Sequence, residues 1–236
     1  MRLAKFLSQA GICSRRQAGR LIDAGLVTVD GVIAGQLTFV QGQENIIADG
    51  QCAKLPNQFE YLLYNKPVGV DCVVNKNDPS SVINHLQLPS RLFPVGRLDK
   101  DSHGLLLLTN DGHLCHQLLS PEHSHDKHYL VTVEPHKNVA DLTSATADSF
   151  ITAINNGVKV KGQITKPCEI TLLATNRFEI VLTQGLNRQI RRMAQAQKYN
   201  VIDLQRVSIA NLQLGSLSLG SMRSLTTTEL SMLKGE

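Results

Sequence analysis

Residues 96–112 read GRLDKDSHGLLLLTNDG. The run Leu105–Leu108 has no polar face, which marks a strand lying at the dry centre of a domain rather than a half-exposed one. Directly ahead of it stands one acidic residue, Asp99, flanked by Arg97 and Lys100 in a turn bounded by Gly96 and Gly104. An aspartate in a turn ordinarily caps or solvates a loop. A carboxylate held among cations at the end of a core strand has a second use as a reactive group. Asp99 is the first candidate site residue.

Working outward, 236 residues suit one or two domains. A hydrophobic fraction of 42% with 19% charged residues excludes a disordered chain. No apolar run approaches the ~18 residues that a membrane span needs. The start, MRLAKFLSQAG, carries polar residues where a signal peptide would be apolar, so a cytoplasmic location is expected. The five cysteines (Cys13, Cys52, Cys72, Cys115, Cys168) are odd in number and form no CxxC pair. Reduced, structural thiols are expected rather than a disulfide framework or a zinc ribbon. The net charge of +4 is one-sided: residues 1–25 hold Arg2, Lys5, Arg15, Arg16 and Arg20 against Asp23, and the remainder is neutral overall. That is a handle for a polyanion.

In RLAKFLSQAG, Leu3, Phe6, Leu7 and Ala10 follow helical spacing, and Gly11 ends the helix. Ser14 and Gln17 have capping-box spacing for a second helix, whose buried stripe is Ala18, Leu21 and Ile22 and whose end is Gly25. LVTVDGVIAG reads as a hairpin turning at Asp30-Gly31. Arg16 and Arg20 share one face of the second helix. Two short helices followed by this strand pattern resemble the small RNA-binding domain of ribosomal protein S-four, over residues 1–55. The resemblance implies contacts from Arg2, Lys5, Arg15, Arg16 and Arg20 to the phosphates of structured RNA. Polar KLPNQFE then marks a linker near Pro56 and Asn57.

From Tyr61 onward, YLLYN, HYLVTV, EITLLAT and FEIVLTQ read as strands, and HLCHQLLS, NVADLTSATADSF and 187–197 as helices. Most strands recur without a full helix between them, so residues 60–236 are expected to form an α+β domain with a mixed, largely antiparallel sheet. The stretches YNKPVG, VGRLDKDSHGLLLLTNDG, KHYLVTV and QGLNRQIRRM, in this order behind the small module, resemble the motifs of the RsuA/RluB/RluE/RluF family of ribosomal RNA pseudouridine synthases. KDS and QGLNRQIRRM are most similar to the F-type, large-subunit enzyme.

The resemblance implies isomerisation of uridine to pseudouridine, a redox-neutral reaction needing no cofactor and no metal. It implies Asp99 as nucleophile, Tyr129 as a surface packing against the uracil, and Arg191 as the cation keeping Asp99 ionised where burial alone would raise its pKa. Asn187 is expected to cap the helix that carries Arg191. Arg188 and Arg192, a turn apart, are expected to face RNA phosphate, and Arg97 to help displace the target base. Lys66, Pro67 and Asn65 are read as shaping a turn under the site. A monomer acting on structured RNA, with no membrane, is expected; small-subunit ribosomal RNA or a tRNA anticodon arm are the other candidate substrates. Two readings compete. His113, Cys115, His116, His123, His125, Asp126 and His128 could form a zinc hydrolase site, although H-E-x-x-H is absent. A non-catalytic RNA-binding protein of ribosome assembly is the other, and an intact Asp99, Tyr129 and Arg191 set argues against it.

Overall fold

The structure is a computed structural model that describes residues 1–75, 77–120 and 125–235. The strand His103–Thr109 sets the larger sheet. Leu105 and Leu107 pack with Leu63, Val95, Leu114 and Leu118, whereas Leu106 and Leu108 pack with Tyr64, Val70, Val82 and Leu98. All four leucines are at most 2% exposed. One strand thus feeds two cores, and each of these side chains stabilises the fold by roughly 2 kcal/mol.

Among the described residues the sheet runs in the order Glu169–Ala174, Arg177–Leu182, Lys127–Pro135, Tyr199–Ile209, His103–Thr109, Tyr61–Lys66, Met222–Ser224. Phe93–Val95 and Leu212–Gln213 pair alongside. Neighbours are antiparallel except that Tyr199–Ile209 runs parallel to His103–Thr109, with Gln205 opposite His103 and Arg206 opposite Gly104. The α+β architecture and mixed sheet match the sequence reading. The helices Ala147–Asn155 and Gln189–Ala196 cover one half through Phe150, Ile154, Ile190 and Met193. Gly112–Leu119 covers the other through Leu114 and Leu118, and the Asp111 carboxylate caps it by accepting from the His113 and Leu114 N–H groups.

Two helix assignments need correction. The segment expected to be helical over 138–150 becomes helix only at Ala147. Before it, the Thr146 hydroxyl donates to the Asp141 carbonyl and accepts from the Thr143 N–H, so threonine offers the backbone a turn in place of a helix. The second concerns Asn187: the helix Gln189–Ala196 starts after Arg188, which is left-handed at φ 55° and has no side-chain capping bond. Gln189 Oε1 instead accepts from the Leu186 N–H, 3.0 Å away.

The N-terminal elements gather around a core of their own. Helices Leu3–Gln9 and Arg15–Asp23 lie with a four-stranded sheet built from Val27–Val29, Val32–Ile33, Ile46–Ala48 and Gln51–Cys52 around a separate core that includes Leu3, Phe6, Ala18, Ile22 and Val27. Ser14 caps the second helix by accepting from the Gln17 N–H, and Asp30 and Gly31 both have the positive φ of a tight hairpin turn. Residues 53–60 form neither helix nor strand. All five cysteines are free thiols.

Gly104 closes the sheet because nothing larger fits. Its φ is +106°, and a Cβ there would run into the Arg206 carbonyl oxygen and sit 2.8 Å from the Arg206 nitrogen. Gly104→Ala is expected to destabilise the protein by more than about 3 kcal/mol in urea unfolding. Gly112→Ala, where a Cβ meets nothing within 4 Å, is expected to stay within about 0.5 kcal/mol.

Candidate active site

Asp99 sits in a turn whose backbone is tied down from several directions. The Asp99 carbonyl accepts from the Ser102 N–H at 3.0 Å and the Lys100 carbonyl from the Gly69 N–H at 2.8 Å. The Asp101 carbonyl accepts from Arg191 Nη2 at 2.7 Å, and the Arg97 carbonyl from Arg206 Nη1 at 3.5 Å. Ahead of them, the Leu98 N–H donates to Cys72 Sγ at 3.3 Å. Beneath the turn, fully buried Lys66 donates from Nζ to the carbonyls of Pro67 and Val70, at 2.9 and 2.8 Å. It thereby shapes the loop that presents Gly69 to Lys100, the structural part expected of it. Burial lowers the Lys66 pKa, while the charges of Cys72, Asp71, Asp101 and Asp99 pull it back up.

The cations are arranged differently from the sequence reading. Among the described residues the one that reaches Asp99 is Arg188, with Nη1 3.9 Å from Oδ2; the Asp99 side chain is 28% exposed. Arg188 also makes a bidentate pair with Asp101, at 3.0 and 2.8 Å. Arg191, expected beside Asp99, instead binds the Val201 carbonyl at 2.9 Å and the Ser102 hydroxyl at 3.1 Å, with Nε 3.4 Å from Asp101 Oδ2. The cause is positional: left-handed Arg188 precedes the helix and swings its side chain over the turn, while Arg191, one turn in, points at its base. Arg188 remains 41% exposed while it holds these carboxylates.

Asp101, expected to be no more than a turn or cap residue, is the carboxylate that both arginines approach. Hydrogen bonds from Arg188, with the nearby Arg191 charge, hold its carboxyl below the usual range. The Arg188 pKa is raised by the same bonds. Burial lowers that of Arg191, and Asp101 acts against that shift. The signal was present, since Asp101 lies two residues from Asp99 and the motif QGLNRQIRRM supplies two nearby arginines, but only the tertiary fold pairs them.

Tyr129 lies on the strand Lys127–Pro135, half-buried, where it packs against the two cores that flank the sheet centre. Together with Arg97, Asp99, Lys100, Arg188 and Leu119 it lines a cleft of about 600 Å³, a volume suited to one nucleotide. The cleft offers a fixed carboxylate, a guanidinium beside it and an aromatic ring, the parts needed for covalent attack on a flat, polar ring system. Arg97 is exposed at its rim, and Arg192 is half-buried on the helix behind it. Arg2, Lys5, Arg15, Arg16 and Arg20 are all exposed on the first module.

Among the described residues the histidine-rich stretch does not converge. His113 and His116 lie on the helix Gly112–Leu119, His128 Nδ1 is 2.9 Å from Glu179 Oε1, and His123 lies outside the described residues. Among the described residues no three His, Cys, Asp or Glu side chains gather at metal-binding separations, and no helix is long and apolar enough to cross a membrane.

Residues 60–196 match the RNA pseudouridylate synthase family, and residues 1–39 match the S4 domain. The chain is 38% identical to the "Dual-specificity RNA pseudouridine synthase RluF" of Salmonella typhi, over 97% of its own length and 77% of that protein's. It is 33% identical to the "Ribosomal large subunit pseudouridine synthase B" of Bacillus subtilis, over 99% and 95% of the two chains. A solved structure, "Crystal structure of pseudouridylate synthase", superposes with a TM-score of 0.70 at 29% identity and covers 99% of each chain.

The geometry separates the two arginines energetically. Arg191, whose side chain is 12% exposed, ties three segments together, so Arg191→Ala is expected to cost about 3 kcal/mol in urea unfolding. Arg188, 41% exposed, is expected to cost less than about 1 kcal/mol. In a double-mutant cycle Asp101→Asn and Arg188→Ala should couple by about 0.5–1 kcal/mol, as an exposed bidentate pair does.

Proposed function

The chain belongs to the RNA pseudouridylate synthase family, and we propose that Asp99 is the nucleophile with which it converts uridine to pseudouridine in ribosomal RNA. The observation that carries this reading is Asp99 itself: a carboxylate on an immobilised turn, 3.9 Å from Arg188 and inside a nucleotide-sized cleft. We read the large-subunit RNA as substrate, because KDS at residues 100–102 and QGLNRQIRRM at 184–193 resemble the F-type, large-subunit enzyme. The protein acts as a cytoplasmic monomer, with residues 1–55 holding structured RNA by its phosphates and residues 60–236 doing the chemistry.

The reaction breaks the bond between uracil N1 and ribose C1′, turns the base and joins C1′ to C5. The hydrogen on C5 leaves and N1 acquires one, so composition is unchanged and no electrons pass to an acceptor. Asp99 adds to the nucleotide at the outset and is expelled at the end, which regenerates the carboxylate. Arg188 offsets the charge on Asp99 before attack and after release. The Tyr129 ring supports the uracil plane while the base is free to turn. Arg97, at the rim, takes the space vacated when the nucleotide leaves its stack.

Asp99→Asn keeps the shape of the side chain and removes the attacking charge. Pseudouridine formation in ribosomal RNA should fall below detection while RNA affinity changes by less than about twofold. Normal turnover in that variant would reject Asp99 as nucleophile. Mapping pseudouridines in total RNA from cells with and without the gene should reveal a missing site in large-subunit ribosomal RNA. A loss confined to small-subunit RNA or tRNA would reject the substrate and leave the chemistry standing.

A further inference from the structure

The first module carries a feature that phosphate binding does not use. Phe39 is 66% exposed and its neighbour Leu37 is 77% exposed, on a segment that runs beside the start of the first helix. Phe39 pairs with Arg2 in an isolated bridge, and the Arg2 guanidinium carbon lies 5.9 Å from the ring centroid. The backbone fixes this arrangement, because the Leu3 N–H donates to the Thr38 carbonyl and the Val40 N–H to the Met1 carbonyl. On its other side, Gln36 Nε2 donates to the Gly19 carbonyl at 2.8 Å and to Asp23 at 2.9 Å. The segment is thereby bound to the turn of the second helix that also bears Arg20. The aromatic ring thus lies against Arg2 at the first helix, on a segment that Gln36 ties to the second helix, where Arg15, Arg16 and Arg20 are exposed.

A folded chain gains nothing from leaving a phenylalanine this exposed, and burying one against a partner is strongly favourable. The charge of the module decides the partner: an exposed ring with an arginine against it, on a module whose other exposed cations are Lys5, Arg15, Arg16 and Arg20, suits a polyanion that also has flat apolar faces. Resting on the reading of residues 1–55 as an RNA-binding unit, we infer that Phe39 is a stacking surface for an unpaired base of the RNA. The cations grip the adjoining phosphates. Paired bases are stacked already and offer no free face, so the contact selects RNA in which a single-stranded nucleotide leaves a stem. Arg2 lies against the ring and orients it for the incoming base.

The test measures binding of the full chain to two labelled RNAs, a short blunt hairpin and the same hairpin with an unpaired adenosine extension. The wild type should prefer the extended RNA. Phe39→Leu keeps an apolar side chain but loses the ring, so affinity for the extended RNA should drop about tenfold while the blunt hairpin binds as before. Phe39→Trp should restore the preference. Because the side chain is exposed, the melting temperature of both variants should match the wild type. Replacing Arg15, Arg16 and Arg20 by alanine should weaken both RNAs alike and flatten the salt dependence, with the preference retained. A wild type without preference, or a Phe39→Leu protein that keeps it, would overturn the stacking role. An arginine triple variant that binds both RNAs normally would overturn the RNA-binding reading of the module instead.

Discussion

Four carbonyl groups in the turn 97–101 accept hydrogen bonds, one from the adjoining Ser102 and three from separated parts of the chain at Gly69, Arg191 and Arg206. The rest of the architecture serves this constraint. Arg206 reaches the turn because its strand runs parallel to His103–Thr109, and that register exists because Gly104 has no side chain to obstruct it. Arg191 reaches it because Ile190 and Met193 anchor its helix in the core. Gly69 reaches it because buried Lys66 folds the 67–70 loop around its ammonium. A misplacement of about 1 Å at a reacting group can cost a hundredfold in rate, so a nucleophile gains from backbone that has no alternative position.

The same network solves an electrostatic problem. Two guanidinium groups side by side repel one another, and Arg188 lowers the pKa of Arg191 for that reason. Asp101 lies against both and makes their proximity tolerable. With Asp101 occupied in this way, Asp99 keeps a nearby cation at 3.9 Å without being locked to it by a short bond.

Much of this was legible in the sequence, for identifiable reasons. The four-leucine run had only one reading, because a segment without a polar face needs two apolar surroundings. The hairpin at Asp30-Gly31 and the Ser14 cap follow from local chemistry and appear where expected. Asp99, Tyr129 and the arginine helix come together around one cleft from stretches far apart in the chain, although Arg191 sits behind it rather than on its wall. What local pattern could not supply was the pairing inside the site. Whether Arg188 or Arg191 approaches Asp99 depends on the left-handed backbone of Arg188, a non-glycine residue in a conformation that spacing gives no reason to expect. Asp101 reads locally as a turn residue because its partners lie 87 and 90 residues away. The early end to the 138–150 helix reflects threonine hydroxyls competing for backbone groups, an effect that apolar periodicity does not register.

A cleft sized for one nucleotide can recognise uridine, yet it has little means of telling one uridine from another. That choice must be made by contacts elsewhere on the RNA, and they matter only if they stand at a fixed distance from Asp99. The junction between the two modules supplies that distance. Arg91 of the larger domain lies with Cβ within 3.7 Å of where a Cβ on Gly11 would stand. Burial holds its pKa below the usual arginine value, with the Cys13 thiol of the first module acting against that shift. Cys13 belongs to the core of the first module, and Leu92, next to Arg91, belongs to a core of the second. A movement at this junction would therefore disturb packing on both sides. Contacts made on the first module, held at this junction, would stand at a fixed distance from the turn, and remote contacts govern which bond reacts only under that condition.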